Sequence, residues 1–288
     1  MKALRTDMAL AGRRLHAWWE GYAFDATMER SRLARAHGIN TALGQNNYRA
    51  EDDIAQSIWG PGRLGPGSSI WTMRFARSLS IPVRAPIVVL GAGAGGVLRD
   101  LKTATRWKVS GFSSFAGDAR GVDLNSYDQV MRRVNKAAAQ AGLCFFELHR
   151  DPDPKAFVEF SAELVRTGAP MTFVDFTAAR KGRGLKSCFA APWTGAPKLS
   201  GDIASVIESG GFRIVDTSDE SHVFTPLIAK GWANWKNAYS EASSITDPVI
   251  RAEYLLALSR YAHLWAERLD ALRAGQLQVT RFQTRRKG

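Results

Sequence analysis

Six consecutive small residues, Gly91-Ala92-Gly93-Ala94-Gly95-Gly96, follow directly on the apolar run Ile87-Val88-Val89-Leu90. Glycines placed this way let a backbone turn sharply after a strand, approach a ligand closely and present its amides at a helix start. Dinucleotide sites share such a string, so it does not by itself name the ligand. Other candidate chemistry is sparse. His222 can act as a general base, and Asp175 ends an apolar run, where it can line a pocket. Trp59, Trp232 and Trp235 can wall a site, which suits a cationic ligand. Each has a plainer role open to it: a lone histidine makes structural hydrogen bonds and a tryptophan packs. Cys144 and Cys188 are too few for a disulfide framework, and no histidine or cysteine has a partner at metal-ligand spacing, so no metal site is expected.

The elements that must hold these residues alternate between strand and helix. Apolar runs at 87–90, 107–112, 143–148, 171–176 and 212–215 read as strands, and 277–283 as a closing one. Between them, 97–103, 127–141, 157–165 and 202–209 read as helices. Such alternation predicts a mostly parallel, doubly wound α/β sheet, with its ligand at the carboxyl ends of the strands beside the glycine loop. Residues 1–56 read as helical, 59–67 as a loop with four glycines and two prolines, and 70–79 as a short helix. Before the closing strand, a helical insertion spans about 226–275. Its Tyr254, Leu258, Tyr261, Trp265, Leu269 and Leu272 make a stripe at helical spacing, which reads as core packing. The division expected is a helical cap with its lead-in loop over 1–80 and an α/β domain over 81–288.

The 288 residues are 45% hydrophobic and 23% charged, enough to build a packed core and ordinary for a globular chain. No stretch is apolar for the roughly 18 residues that a membrane span needs, and the basic start has too short an apolar run for a secretory signal, so a cytoplasmic location is expected. A net charge of +12 favours an anionic partner, such as nucleic acid, an anionic membrane or a phosphorylated substrate. Its clusters are dispersed, and a basically biased solvated surface accounts for them equally well.

Three segments taken in order carry a resemblance: 58–67, the loop 90–96, and Gly210-Gly211-Phe212-Arg213-Ile214-Val215 with the acidic Ser/Thr stretch after it. With the closing Gly275, Leu277, Phe282, Arg286 and Lys287, they resemble the class I S-adenosylmethionine (SAM)-dependent methyltransferases that act on small molecules, quinones and phospholipid bases. The resemblance covers about residues 55–288. It implies a seven-stranded, Rossmann-like sheet with N-terminal helices and a helical insertion before the last strand. It implies SAM as cofactor over Gly91, Ala92, Gly93 and Gly95, and a small-molecule or lipid-like acceptor received near Trp59, Asp175 and Trp232.

Two acids of that family are replaced here. Val89 stands where the first strand carries a carboxylate, and Ser113 falls where an acid at the end of the second strand takes both ribose hydroxyls. A serine hydroxyl cannot accept two charge-assisted hydrogen bonds as a carboxylate does, a loss of about 1.5–3 kcal/mol. Asp123, within Gly121-Val122-Asp123-Leu124-Asn125, is a second candidate for the ribose acid, although about ten residues late. The stretch 143–176 reads as too short for a fourth strand and its helix. Two functions follow as expectations: methyl transfer by in-line displacement, or a methyltransferase-like protein without catalysis that binds an acidic partner. A nicotinamide-dependent oxidoreductase would explain the glycine loop but not the closing pattern.

Overall fold

The computed structural model describes residues 47–114, 121–127, 137–179 and 197–288. The helices expected within 1–46, and most of the one expected over 127–141, lie outside those residues. The described chain forms two compact units, residues 61–229 with 267–288, and residues 1–60 with 230–266.

The first unit is built on one seven-stranded sheet: β1 (Pro86–Leu90), β2 (Lys108–Ser113), β3 (Asp123–Ser126), β4 (Ala141–Phe145), β5 (Pro170–Ala178), β6 (Phe212–Asp219) and β7 (Leu277–Arg286). Their spatial order is β3-β2-β1-β4-β5-β7-β6. The β1–β2, β2–β3, β1–β4 and β4–β5 pairs are parallel, whereas β7 runs antiparallel to both β5 and β6. The central strands β1 and β4 read as unbroken apolar runs, as burial on both faces demands, and β5 is as buried but carries Thr172, Asp175 and Thr177 among its apolar residues. Helices α2 (Ser69–Ser78), α3 (Gly96–Ala104), α4 (Pro154–Leu164) and α5 (Ser200–Ser209) belong to this unit. Val158, Ile203, Ile207 and Phe212 join Met171, Phe173 and Phe282 of the sheet in one buried core. Helix α4 starts where its sequence dictates: Asp153 accepts the Ala156 amide, and Pro154 fills the first turn, where no amide is needed.

The structure corrects two expectations in the middle of the chain. A strand, β3, lies between β2 and β4, so the run at 143–148 is the fourth strand in chain order, shifted to 141–145, and 171–176 the fifth. The domain is therefore not short of a strand. Asp123 is the first residue of β3, paired with Ser110 rather than Ser113, and its carboxylate accepts the Ser110 hydroxyl at 2.6 Å. Because β2 and β3 are parallel, Asp123 sits three positions back from their carboxyl ends. That removes it as the ribose acid.

The second unit is helical in its described part: α1 (Asn47–Trp59), the end of α6 (Ser221–Trp232), α7 (Trp235–Ser244) and the first two-thirds of α8 (Pro248–Arg273). Its centre is Trp59, which donates its indole N–H to the Tyr261 hydroxyl at 2.7 Å and meets Trp265 edge-on at 5.2 Å. A Cβ on Gly231 would enter the Trp59 ring, which accounts for glycine near the end of α6. The stripe on α8 is buried at Leu258, Trp265 and Leu272, as the spacing predicts. No described helix is long and apolar enough to cross a membrane.

Candidate functional site

The glycine loop sits at the carboxyl end of β1, the central strand. Gly91, Gly93 and Gly95 take left-handed φ values of +70°, +59° and +89°, conformations that exclude most other residues. At Gly91 the demand is also steric, since a Cβ would overlap the Phe145 carbonyl oxygen at the end of β4 and lie 3.0 Å from Glu147 Cγ. The Ala92 amide donates to the Phe112 carbonyl of β2, the Gly95 amide to Ala92, and the Gly96 amide, first in α3, to Gly62. The amides of Gly93 and Ala94 have no protein acceptor among the described residues. The lead-in segment lies against the loop, Gly62 and Leu64 bordering Gly93. Arg63 is held there by an ion pair to Asp100 of α3. Ser113 ends β2 and is buried.

Beside this cradle the chain leaves β4 through an unusual turn. Phe146 is left-handed at φ +56°, which costs a side-chain-bearing residue about 1–2 kcal/mol. Its amide is fixed to the Val174 carbonyl at 2.8 Å, and the Glu147 carbonyl then accepts the amides of Arg150 and Asp151. The turn carries Glu147 across the end of β1. There the Tyr127 hydroxyl accepts the Gly91 amide at 3.0 Å and lies beside the Glu147 carboxyl. Burial pushes the Glu147 carboxyl up to about 7, against the opposing pull of Arg150. Burial likewise holds the Tyr127 and Cys144 groups well above their ordinary values.

One turn of chain later, His149 meets Asp175 of β5, with Nδ1 and Oδ1 2.6 Å apart and both side chains almost fully buried. Asp175 also accepts the Leu148 amide at 2.7 Å and the Phe176 amide at 2.7 Å. This saturation orients the pair: Nδ1 carries the proton toward Asp175, leaving Nε2 as the basic nitrogen of the ring. Burial lowers the His149 pKa, against the raising influence of Asp175. Around the pair, Phe146, Phe176, Phe224 and Trp71 make an aromatic cluster with ring centroids 4.8–5.9 Å apart, and Arg268 lies 5.2 Å over the Phe176 ring.

The residues expected from sequence separate by unit. Gly91, Ala92, Gly93, Gly95 and Ser113 lie in the sheet unit at the carboxyl ends of β1 and β2, with Asp175 within β5 one position past the end of β4, whereas Trp59 and Trp232 belong to the helical unit. Trp59 is a packing residue there, and Trp232 is partly exposed at the end of α6. His222 is exposed on the first turn of α6. Sequence reading missed Tyr127, Glu147 and His149. A depression of about 540 Å³ lined by Ile81, Val83, Thr103 and Trp107 opens at the amino ends of β1 and β2, the wrong edge for a ligand of such a sheet.

The Glu147 carboxyl yields a stability prediction. Its folded pKa of about 7 exceeds its unfolded value near 4.5, so the native state binds the extra proton, and stability falls as pH rises through that window. Glu147→Gln, which cannot ionise, is expected to melt higher than the wild type at pH 8 by about 1–3 kcal/mol of stability. At pH 4.5 the two should coincide. Equal melting curves at both pH values would show that the carboxyl is not held in this environment.

The sequence matches no known family profile and no curated protein. Solved structures match over most of its length. The [4+2]-cyclase SpnF is 12% identical, with a TM-score of 0.64 over 83% of this chain and 93% of that one. The Haemonchus contortus phosphoethanolamine N-methyltransferase 2 bound to S-adenosylhomocysteine (SAH) is 12% identical, with a TM-score of 0.66 over 84% of this chain; the match spans 58% of that larger protein. The Mycobacterium tuberculosis cyclopropane synthase MmaA2 is 13% identical, with a TM-score of 0.62 over 85% of this chain and all of that one. The fold is thus that of the class I SAM-dependent methyltransferases, as the sequence resemblance implies.

Proposed function

We propose that this chain binds SAM at the glycine loop and transfers its methyl group to a small-molecule or lipid-like acceptor. The observation that carries the reading is the cradle itself. Three left-handed glycines follow the central strand, and two amides there are left to a ligand, at the edge of the sheet where such folds bind nucleosides. Gly91, Ala92, Gly93 and Gly95 would hold the cofactor, with Ser113 offering one hydroxyl where the family has an acid. Bound SAM supplies an electrophilic methyl on a cationic sulfur. The protein's part is to position the acceptor in line and exclude water. Asp175 holds the proton on His149 Nδ1, which fixes the tautomer and orientation of that ring. Trp71, Phe146, Phe176 and Phe224 supply apolar surface beside it.

The printed names of the matched proteins support the substrate class, since they include a phosphoethanolamine N-methyltransferase and a cyclopropane synthase. They also include a cyclase, so the fold does not fix the reaction. A second reading, a protein of this fold that binds an acidic partner without methyl transfer, is favoured by Val89 and Ser113 in place of two carboxylates and by the +12 charge. Calorimetric titration separates the two. Micromolar binding of SAM and SAH is expected, and Ser113→Asp should tighten it roughly tenfold to a hundredfold by restoring a charged acceptor for the ribose. No binding at millimolar ligand, by either protein, would leave the second reading standing.

A further inference from the structure

The carboxylate missing from the end of β1 has a counterpart across the strand boundary. Val89 is fully buried within the core, so its position offers a ligand nothing polar. The neighbouring strand instead makes a strained turn at Phe146 that lays Glu147 against Gly91, closely enough that a Cβ at Gly91 would stand 3.0 Å from its Cγ. Tyr127 borders both, accepting the Gly91 amide and lying beside the Glu147 carboxyl. A partly buried carboxylate at the mouth of a ligand cradle gains more from an incoming cation than one fully solvated. SAM carries its positive charge on the sulfonium and the α-ammonium.

We propose that Glu147 is the carboxylate of this chain's cofactor site, supplied by the turn after β4 in place of the β1 acid, and that it receives the cationic methionine end of SAM while Tyr127 holds it in register with the loop. This rests on the methyltransferase reading. It adds a regulatory property to the site: cofactor affinity is set by the ionisation of Glu147 and changes across neutral pH, because burial pushes that carboxyl up to about 7. The groups facing it are Tyr127 before the β4 segment, Cys144 on β4, Arg150 and Asp151 in its own turn, and Asp175 on β5. Tyr127 and Cys144 are both raised well above their ordinary values and keep their protons between pH 6 and 7.5. His149, lowered by burial against the raising influence of Asp175, is held toward its neutral form.

The test is calorimetric titration of wild type, Glu147→Gln and Tyr127→Phe with SAM and with SAH at pH 6.0 and 7.5, in buffers of different ionisation enthalpy. A group titrating near 7 that binds only when ionised makes SAM affinity rise about eightfold over that interval, with close to one proton released per site at pH 6.0. Glu147→Gln should bind SAM about tenfold or more weakly at pH 7.5, with no pH dependence and no proton release. Tyr127→Phe removes a hydroxyl beside the carboxyl that favours its charged form, so its rise in affinity should move to higher pH. Wild-type affinity and wild-type proton release in Glu147→Gln would overturn the assignment while leaving the methyltransferase reading intact. No binding of SAM or SAH by natively melting wild type at either pH would overturn the reading and the assignment together.

Discussion

Gly91→Val is expected to destabilise the sheet unit by about 2–5 kcal/mol and to abolish whatever binds at the loop. Two costs add. The native φ of +70° lies in a region that a β-branched residue essentially never enters, about 1–2 kcal/mol even for a tolerant side chain. The new Cβ also overlaps the Phe145 carbonyl oxygen, which is backbone on the strand next to β1 and cannot swing away. Separating β1 from β4 enough to admit it is an overpacking cost of about 1–3 kcal/mol at the best-buried pair in the sheet. A chain of this size then loses about 10 °C of melting temperature. Gly275→Val makes the comparison: its φ is also positive, at +63°, but its Cβ would meet nothing within 4 Å. If both variants lose the same stability, conformational strain alone accounts for Gly91, and the close approach of β4 is not a constraint.

Asp175→Ala is expected to cost about 3–5 kcal/mol, because one buried side chain satisfies three donors there. The amides of Leu148 and Phe176 and the Nδ1–H of His149 all lose their acceptor at once. The pH dependence follows from His149. Its folded pKa is below its unfolded value near 6.5, so the unfolded chain binds more protons under that pH, and stability is lost as pH falls through about 6.5. Asp175 is what limits this loss, since it raises the ring pKa against burial. Asp175→Asn, which keeps the shape, should therefore lose more stability than wild type between pH 6.5 and 4.5, read from urea midpoints. Doing this in a Glu147→Gln background removes the opposing titration. A variant whose acid-side loss matches wild type would mean that the pair does not govern the ring.

How much of this was readable in advance depended on how local the signal was. The strands β1, β4 and β5 announce themselves because burial on both faces demands mostly apolar residues, interrupted in β5 by Thr172, Asp175 and Thr177. Strand β3 has no such signature: it is four residues, Asp-Leu-Asn-Ser, at the sheet's edge with its first residue exposed. Missing it displaced the count of every later strand and made the domain look short. The glycine loop was readable because a left-handed backbone writes itself as glycine. The turn at Phe146 was not, since the same conformation there is borne by a phenylalanine held through a hydrogen bond to β5. Glu147 and His149, in the turn after β4, precede Asp175 of β5 by 28 and 26 residues, and only the order β1-β4-β5 brings them to one edge. Once that order is known, the polar residues just past or near the carboxyl ends of adjacent strands are the ones to compare.

The placement of β7 governs how this chain is assembled during synthesis. Strand β6 touches the sheet only through β7, yet β7 is made some sixty residues later, after helices α6, α7 and α8. Until residues 277–286 have left the ribosome, β5 presents an open apolar edge and β6 has no strand to pair with. Ordered closure of this sheet is therefore a late event that must span Pro170 to Arg285 in a single pairing. Any pause in translation within the helical insertion prolongs exactly the interval in which two unpaired strand edges are exposed to other chains.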